Sequence, residues 1–432
     1  MSIFLVYLFN LLILAGFTWW MSRQNWAQEL KPYFWPALAL KLLLVLVLAV
    51  LFYYGLMVGD RNTYHQGSIQ LWQYARQEPG AYLKLLFFNE FASEQVKASF
   101  PFTDYADHLN SFFFIKLLSL LNFATAGSYL LNNLYLAIYS FWGSAYLVAV
   151  LAGSYPKYKT AGAIAFLFFP TVLIWSVGLL KDPLMYGSMS WLTGAALALA
   201  HRQRFGWGGF LLLPLHFYLF VKIRMFYAAL LVPLLLVYVL VQRLKVRHTS
   251  LQPLRAQLLF YAVLGVVAVG LVALVFRDKL LVDYLPLYIH KSYAAMLPRA
   301  LGKPHVALEG LQPALQSMFL HYPEAMISSI YRPFIGESWK PLYLLAGLEN
   351  LLLLLLTGLA FASAFRKGAN IKPELLHVVL LVFILVMAGV TGLSTPNFGT
   401  LSRYRIVYLP FLVYLLLQNV YAQRLLQRFR LL

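Results

Sequence analysis

A carboxylate, a phenol and an imidazole follow one another closely where an apolar run of this chain ends. Asp60 comes first, and Tyr64 and His65 follow four and five residues later. A carboxylate beside a long apolar run is costly to desolvate unless a partner or a function compensates for it. Asp60 is therefore a candidate general base, with Tyr64 and His65 as substrate contacts. The alternative is that Asp60 is the N-cap of a helix.

Basic side chains recur beside other apolar runs. They suit a phosphate or pyrophosphate group, which lysine and arginine bind through charge and hydrogen bonds. The alternative is that they reach towards lipid headgroups, as many interfacial cations do, and Lys41 is expected to do so. Asp182, followed by Pro183, is predicted to be a helix N-cap. The candidate phosphate contacts are Lys181, Lys222, Arg224, Arg403 and Arg405.

Two further charged positions admit two interpretations each. Arg332 can help to cover a substrate cleft, or it can form a local ion pair with Glu337 in a loop turn. Glu349, next to Asn350, lies inside an apolar run, where a carboxylate is usually paired or faces a polar cavity. It can contact substrate or form a salt bridge with a neighbouring helix.

A third group of charged side chains raises the question of a metal. Asp104, Asp107 and His108 can join Asp60 around a divalent cation, or they can form the solvated face of a helix. The chain has no cysteine, which excludes disulfides, a thiolate nucleophile and cysteine-ligated metal. It also lacks a nucleotide-binding glycine loop, a nucleophile elbow and zinc-ligand spacing. No cofactor is expected, apart from that possible divalent metal.

The composition predicts an all-α polytopic membrane protein. Of 432 residues, 61% are hydrophobic and 11% are charged. The apolar runs are about 20 residues long, which matches the hydrocarbon core of a bilayer. We expect a single integral membrane domain over residues 1–432, with the first helix retained and not cleaved as a signal peptide.

The apolar runs predict about eleven spans, joined by short loops and two long segments. The long segments, 58–126 and 277–340, are expected to contain short amphipathic helices on the membrane surface. Spans six and seven can alternatively form a re-entrant pair. The predicted spans are 3–20, 34–57, 128–152, 161–180, 184–200, 207–221, 225–242, 256–276, 341–365, 375–393 and 406–422.

The charges of the loops predict the orientation. The short loops on one side carry 16 Lys and Arg against two acids, whereas the other side carries 17 against 12. Short basic loops face the cytoplasm, so the amino terminus, both long segments and Asp60 are expected outside. The net charge of +19 then reflects cytoplasmic loops and lipid contacts, and no nucleic-acid partner is needed to explain it.

Three patches together carry a family resemblance. A long first outer segment opens with Asp60 and Tyr64, residues 168–182 read FFPTVLIWSVGLLKD, and residues 397–405 read NFGTLSRYR. The chain resembles the GT-C-fold membrane glycosyltransferases, which take a sugar from a polyprenyl-phosphate donor. It departs from the usual pattern because the first long segment follows the second helix, and because a large soluble carboxy-terminal domain is missing.

The resemblance implies a function, a site and a location. Asp60 would be the catalytic base, and the basic residues would hold the lipid phosphate. The expected partners are a polyprenyl-phosphate sugar donor, a lipid- or glycan-linked acceptor and membrane lipids. The expected location is the bacterial inner membrane, with the active site facing outwards.

Two other function classes fit the same topology. A polymerase or ligase of lipid-linked oligosaccharides would need the outer arginines but not Asp60. A flippase or transporter of lipid-linked sugars would depend on intramembrane polar groups such as Glu349 and would form no glycosidic bond.

Overall fold

A computed structural model describes residues 2–56, 59–103, 109–275, 284–366 and 373–428. Over these ranges the chain is helical and forms no β-strand, which confirms the all-α part of the predicted fold class. An isolated bridge pairs His305 with Asn397.

The helices of the first half include short helices between long apolar ones. A π-helical turn, Ile164–Phe168, separates α9 from α10. In chain order the helices are α1 (Ile3–Arg23), α2 (Asn25–Gln28), α3 (Lys31–Tyr53), α4 (Asp60–Gln77), α5 (Pro79–Phe88), α6 (Glu94–Ser99), α7 (Leu109–Thr125), α8 (Tyr129–Ser154), α9 (Lys159–Ala163), α10 (Pro170–Trp175) and α11 (Lys181–Ala200).

The second half begins with the longest described helix, α12 (Trp207–Lys245). The helices that follow are α13 (Leu254–Val275), α14 (Tyr284–Ala300), α15 (Leu315–Tyr331), α16 (Pro341–Ala364), α17 (Leu375–Ser394), α18 (Phe398–Tyr404), α19 (Leu409–Leu416) and α20 (Val420–Arg428).

Six described helices are long and apolar enough to cross a membrane by length and composition: α1, α3, α8, α12, α16 and α17. This finding supports the membrane character but does not establish eleven spans. Two predicted spans are interrupted. The run 161–180 breaks at Phe169, which is extended because it precedes Pro170. The run 406–422 is divided between a 3₁₀ turn, α19 and α20.

The chain forms two compact units. Unit 1 comprises Met1–Val150, Leu173–Ala195 and Gly206–Ala228, and unit 2 comprises Leu151–Val172, Ala196–Phe205 and Ala229–Leu432.

Close backbone contacts hold the helices together within each unit. In unit 1, a Cβ on Gly143 of α8 would lie 2.0 Å from the carbonyl oxygen of Gly187 of α11. In unit 2, a Cβ on Gly392 of α17 would lie 2.0 Å from the carbonyl oxygen of Ala325 of α15. Small residues allow helix backbones to approach this closely, as is typical of helix pairs in membranes.

Candidate functional site

The first turn of α4 presents Asp60 to solvent. Gly59 occupies the N-cap with φ 104° and ψ −153°, a left-handed conformation that favours glycine. Asp60 is the first helical residue and is exposed. The alternative prediction is right that a helix begins here, but it is wrong about the N-cap, because Gly59 takes that position. An acid in the first turn still interacts favourably with the helix dipole.

Tyr64 connects this turn to a buried polar cluster. Its side chain is 2% exposed, and its hydroxyl hydrogen-bonds Ser111 Oγ at 3.2 Å. Residues four apart lie on one face of a helix, so Asp60 and Tyr64 are neighbours along α4.

Lys181 is the basic centre of that cluster. It is the first residue of α11 and is 6% exposed. Its Nζ donates to Asn110 Oδ1 at 3.0 Å and to Ser111 Oγ at 2.8 Å. The ammonium also lies 5.8 Å from the centre of the Tyr64 ring, which gives a cation–π contact. Sequence reasoning identified Lys181 but missed Asn110 and Ser111, which begin an apolar helix and carry no charge.

A break in α12 places Arg224 beside Asp182. Arg224 has non-helical backbone angles (φ −144°, ψ 69°) and divides α12 between the two predicted spans 207–221 and 225–242. Its Nη2 lies 3.7 Å from Oδ1 of Asp182, which is 1% exposed. Asn110 Nδ2 donates to the carbonyl of Ile223, next to the break, at 3.1 Å. We call Tyr64, Asn110, Ser111, Lys181, Asp182 and Arg224 the Lys181 cluster.

Asp182 has a different role from the predicted one. Because α11 begins at Lys181, Asp182 lies within the first turn and not at the N-cap, and it forms an ion pair with Arg224. The N-cap prediction is therefore wrong, because the helix begins earlier than the sequence predicted.

Lys222 lies on the same helix as Arg224 and is exposed. Its Nζ is 5.9 Å from the centre of the Phe113 ring on α7. Lys116, also on α7, donates to the carbonyls of Leu85 and Leu86 at the end of α5. Burial, reinforced by the charge of Lys222, lowers the pKa of Lys116 to about 8. Two ammonium groups therefore repel one another here, a situation that an anion would relieve.

The other residues near Asp60 are held by aromatic packing. The His65 ring packs edge-on against Phe52 and Tyr129, at centroid distances of 5.3 and 5.4 Å. Burial lowers the pKa of His65, which favours its neutral form. The guanidinium of Arg61 lies 5.8 Å from the centre of the Trp175 ring.

Unit 2 also contains a buried cation, Arg405, which is 2% exposed. Its Nε donates to the Ser329 carbonyl at 2.7 Å and its Nη1 to Asn350 Oδ1 at 2.8 Å. Its Nη2 donates to the Arg332 carbonyl. We call Ser329, Arg332, Asn350 and Arg405 the Arg405 cluster. This geometry favours a structural role, and the predicted phosphate contact of Arg405 stays a prediction.

Arg332 forms the local ion pair that was the alternative prediction. Its Nε and Nη2 donate to the two carboxylate oxygens of Glu337 at 2.9 and 2.8 Å. Burial alone would raise the pKa of Glu337, but the Arg332 hydrogen bond, the Phe334 amide and the Arg332 charge outweigh burial and lower it. Arg403 is half-buried beside the Tyr404 ring.

Glu349 contacts the start of a helix. Its Oε2 accepts the amide hydrogen of Thr171 at 2.9 Å, in the first turn of α10. An acidic oxygen at a helix amino end satisfies an otherwise unpaired amide. Glu349 Oε1 has no hydrogen-bond partner among the described residues. The predicted salt bridge to a neighbouring helix is not formed there.

The possible metal ligands Asp104, Asp107 and His108 lie outside the described residues. Within the described part of the chain, no group of three or more histidine or acidic side chains is arranged to hold a metal ion.

The Lys181 cluster thus combines one buried cation, one partly buried cation, one carboxylate and neutral side chains that both donate and accept hydrogen bonds. Tyr64 of this cluster lies one turn along α4 from the exposed Asp60. Such a set can hold an anionic group beside a base. Comparisons of the chain with protein-family models, curated proteins and solved structures give no significant match.

Proposed function

We propose that this protein is a membrane glycosyltransferase that moves a sugar from a polyprenyl-phosphate donor to a lipid- or glycan-linked acceptor. The observation that supports this proposal best is the route from Asp60 to Lys181. Asp60 shares a face of α4 with Tyr64, and Tyr64 contacts both Ser111 and Lys181. A base about one helical turn from a tyrosine that contacts a buried lysine suits a transfer between a hydroxyl and a phosphate-linked sugar.

In the proposed reaction, the acceptor hydroxyl attacks the anomeric carbon of the donor sugar. Asp60 takes the proton of that hydroxyl as the new glycosidic bond forms. The bond between the anomeric carbon and the phosphate oxygen breaks, and polyprenyl phosphate leaves with its electron pair. Lys181, Arg224 and Lys222 stabilise the charge on this leaving group. Asp182 offsets part of the charge of Arg224 and orients it.

The predicted phosphate contacts differ in how their donors are already bound. The donors of Arg405 are bound within its own cluster. Arg332 is paired with Glu337. We therefore give the phosphate to Lys181, Arg224 and Lys222. Arg403 remains a candidate for the outer part of the donor, and the buried Tyr64 is assigned to positioning Lys181 and Ser111.

The proposed topology follows the loop charges. The chain crosses the bacterial inner membrane about eleven times, with the amino terminus outside and the site facing outwards. The six membrane-length helices support membrane insertion. The interrupted runs would then be broken helices, which membrane proteins tolerate where the backbone is buried in protein or lines a cavity.

A proteoliposome transfer assay tests the proposal. Radiolabelled polyprenyl-phosphate hexose is presented with a mixed lipid and glycan acceptor extract, and wild type is compared with Asp60→Asn. We expect label to reach a new acceptor with wild type and to fall by about 10³-fold with Asp60→Asn, because the base is lost. Glu90→Gln, an exposed acid distant in sequence, is the matched control and should transfer normally.

The same assay separates the alternatives. Equal transfer by wild type and folded Asp60→Asn would contradict the catalytic role of Asp60 and favour an oligosaccharide polymerase or ligase. Movement of the donor across the vesicle membrane without consumption would favour a flippase. Absence of any transfer by folded wild type would contradict the transferase.

A further inference from the structure

A buried lysine within α3 has no role in the chemistry above. Lys41 is 4% exposed, and its Nζ donates to Ser176 Oγ at 2.8 Å. Its ammonium lies 6.0 Å from the centre of the Tyr186 ring. Among the described residues, no carboxylate forms an ion pair with it. The sequence predicted that Lys41 would reach towards headgroups, and this prediction is wrong because the side chain points into unit 1.

Lys41 contacts the turn that precedes the Lys181 cluster. Residues 176–180 connect α10 to α11 without helical structure, and every one of them is buried. Gly178 adopts φ +98° in this turn, and a Cβ there would lie 3.0 Å from Arg61 Nε. Ser140 Oγ donates to the Ser176 carbonyl at 2.7 Å. Side chains from other helices therefore satisfy the polar groups at the start of the turn.

The contact also fixes where the turn lies along α3. Lys41 is twelve residues before the last residue of α3, Tyr53. At 1.5 Å per residue, this separation is about 18 Å. The turn therefore lies beside the middle of a membrane-length helix, whereas the predicted span 161–180 included residues 176–180 in a continuous helix. Irregular backbone at such a depth must be satisfied by protein groups.

We propose that Lys41 is a positioning residue that fixes the 176–180 turn and thereby places Lys181 and Asp182. The part that concerns catalysis rests on the proposed transferase function. A buried ammonium without a carboxylate is a poor source of stability, since no ion pair offsets the cost of its desolvation. The geometry that Lys41 imposes on the turn explains why a charge is placed there.

Hydrogen exchange tests the positioning directly and needs no substrate. Wild type, Lys41→Met, Lys41→Arg and the exposed-lysine control Lys84→Met are compared in proteoliposomes. We expect Lys41→Met to increase amide exchange in residues 176–182 at least tenfold, with no larger fall in melting temperature than the control shows. Lys41→Arg keeps a donor and should retain most of the protection. Unchanged exchange in 176–182, or an equal increase throughout unit 1, would overturn the proposal.

A second variant covers the case in which Lys41→Met does not fold. Ser176→Ala removes the acceptor of the Lys41 hydrogen bond and should also increase amide exchange in residues 176–182. If Ser176→Ala leaves their exchange unchanged, Lys41 does not position the turn.

Turnover tests the catalytic consequence. With radiolabelled polyprenyl-phosphate hexose, we expect Lys41→Met to lower kcat about tenfold in the folded protein, because small misplacements of binding groups are costly. If amide exchange in residues 176–182 increases but kcat is unchanged, the positioning role stands and the catalytic consequence is overturned. If wild type transfers nothing, the exchange result still tests the positioning, and the failure belongs to the proposed function.

Discussion

The Lys181 cluster and the Arg405 cluster are both buried and basic, but their cations are satisfied in different ways. Arg405 donates to two backbone carbonyls and one amide oxygen. Lys181 donates to the side chains of Asn110 and Ser111. Backbone carbonyls only accept hydrogen bonds, whereas a hydroxyl and a carboxamide also donate. A cation whose partners are side chains can therefore bind a phosphate together with those side chains. A cation whose partners are mainly backbone carbonyls instead stabilises the fold.

The largest expected effect concerns Arg405. Arg405→Met removes three hydrogen bonds at a buried site and leaves the Asn350 and Arg332 oxygens without this donor, while the Ser329 carbonyl keeps the Tyr408 hydroxyl. We therefore expect the free energy of unfolding to fall by about 3 kcal/mol. Denaturant unfolding in detergent measures this change. Arg403→Met, two residues earlier and only half-buried, is the matched control and should cost no more than about 1 kcal/mol. Equal effects of the two variants would remove the distinction between the clusters.

The ion pair beside the Arg405 cluster should contribute less. Glu337→Gln leaves the Arg332 guanidinium partly paired, and we expect a loss of about 1 kcal/mol at pH 7. Because the pKa of Glu337 is lowered in the folded protein, its contribution is present above its unfolded value of about 4.3 and is lost as the pH falls through the folded value. Glu337→Gln should therefore weaken the acid loss of stability. If wild type and Glu337→Gln lose the same stability as the pH falls, the Arg332–Glu337 pair does not stabilise the fold.

Lys222 should affect substrate and not stability. It is exposed, so Lys222→Gln is expected to change the melting temperature little. It should lower transfer about threefold at low salt and less at high salt, because exposed charges are screened. The salt series distinguishes this effect from a folding defect. Equal transfer by wild type and Lys222→Gln at low salt would remove Lys222 from the phosphate site.

The smallest expected effect lies at His321 in unit 2. Both ring nitrogens face carbonyl oxygens, Nδ1 that of Ser317 at 2.8 Å and Nε2 that of Glu309 at 2.9 Å, so the charged ring satisfies both. These hydrogen bonds raise the pKa of His321; burial opposes them and the Glu324 charge adds to them. The stability from His321 is thus fully present below about 6.5 and is lost as the pH rises through the folded value. Unfolding midpoints at pH 5.5 and 8.5 should differ less in His321→Gln than in wild type.

The sequence predicted the all-α class and gave Lys181 and Arg405 the same predicted role, and it could not distinguish how the two cations are bound. Both are cations beside apolar runs, and their difference lies in partners such as Asn110 and Ser329 that are far away along the chain. The break at Phe169 had a local signal in Pro170, which the apolar run concealed. No local sequence signal indicated the burial of Lys41, because its partner Ser176 is 135 residues away.

Direct donor binding tests the central claim that the Lys181 cluster holds the lipid phosphate. Binding of radiolabelled polyprenyl-phosphate hexose is measured with Asp60→Asn, which cannot turn the donor over in this account, and with the same variant carrying Lys181→Met. We expect Asp60→Asn to bind as wild type does, and the added Lys181→Met to weaken binding about tenfold to a hundredfold, since a charge-assisted hydrogen bond is lost. Equal affinity with and without Lys181, in protein whose melting temperature shows that it is folded, would contradict the account.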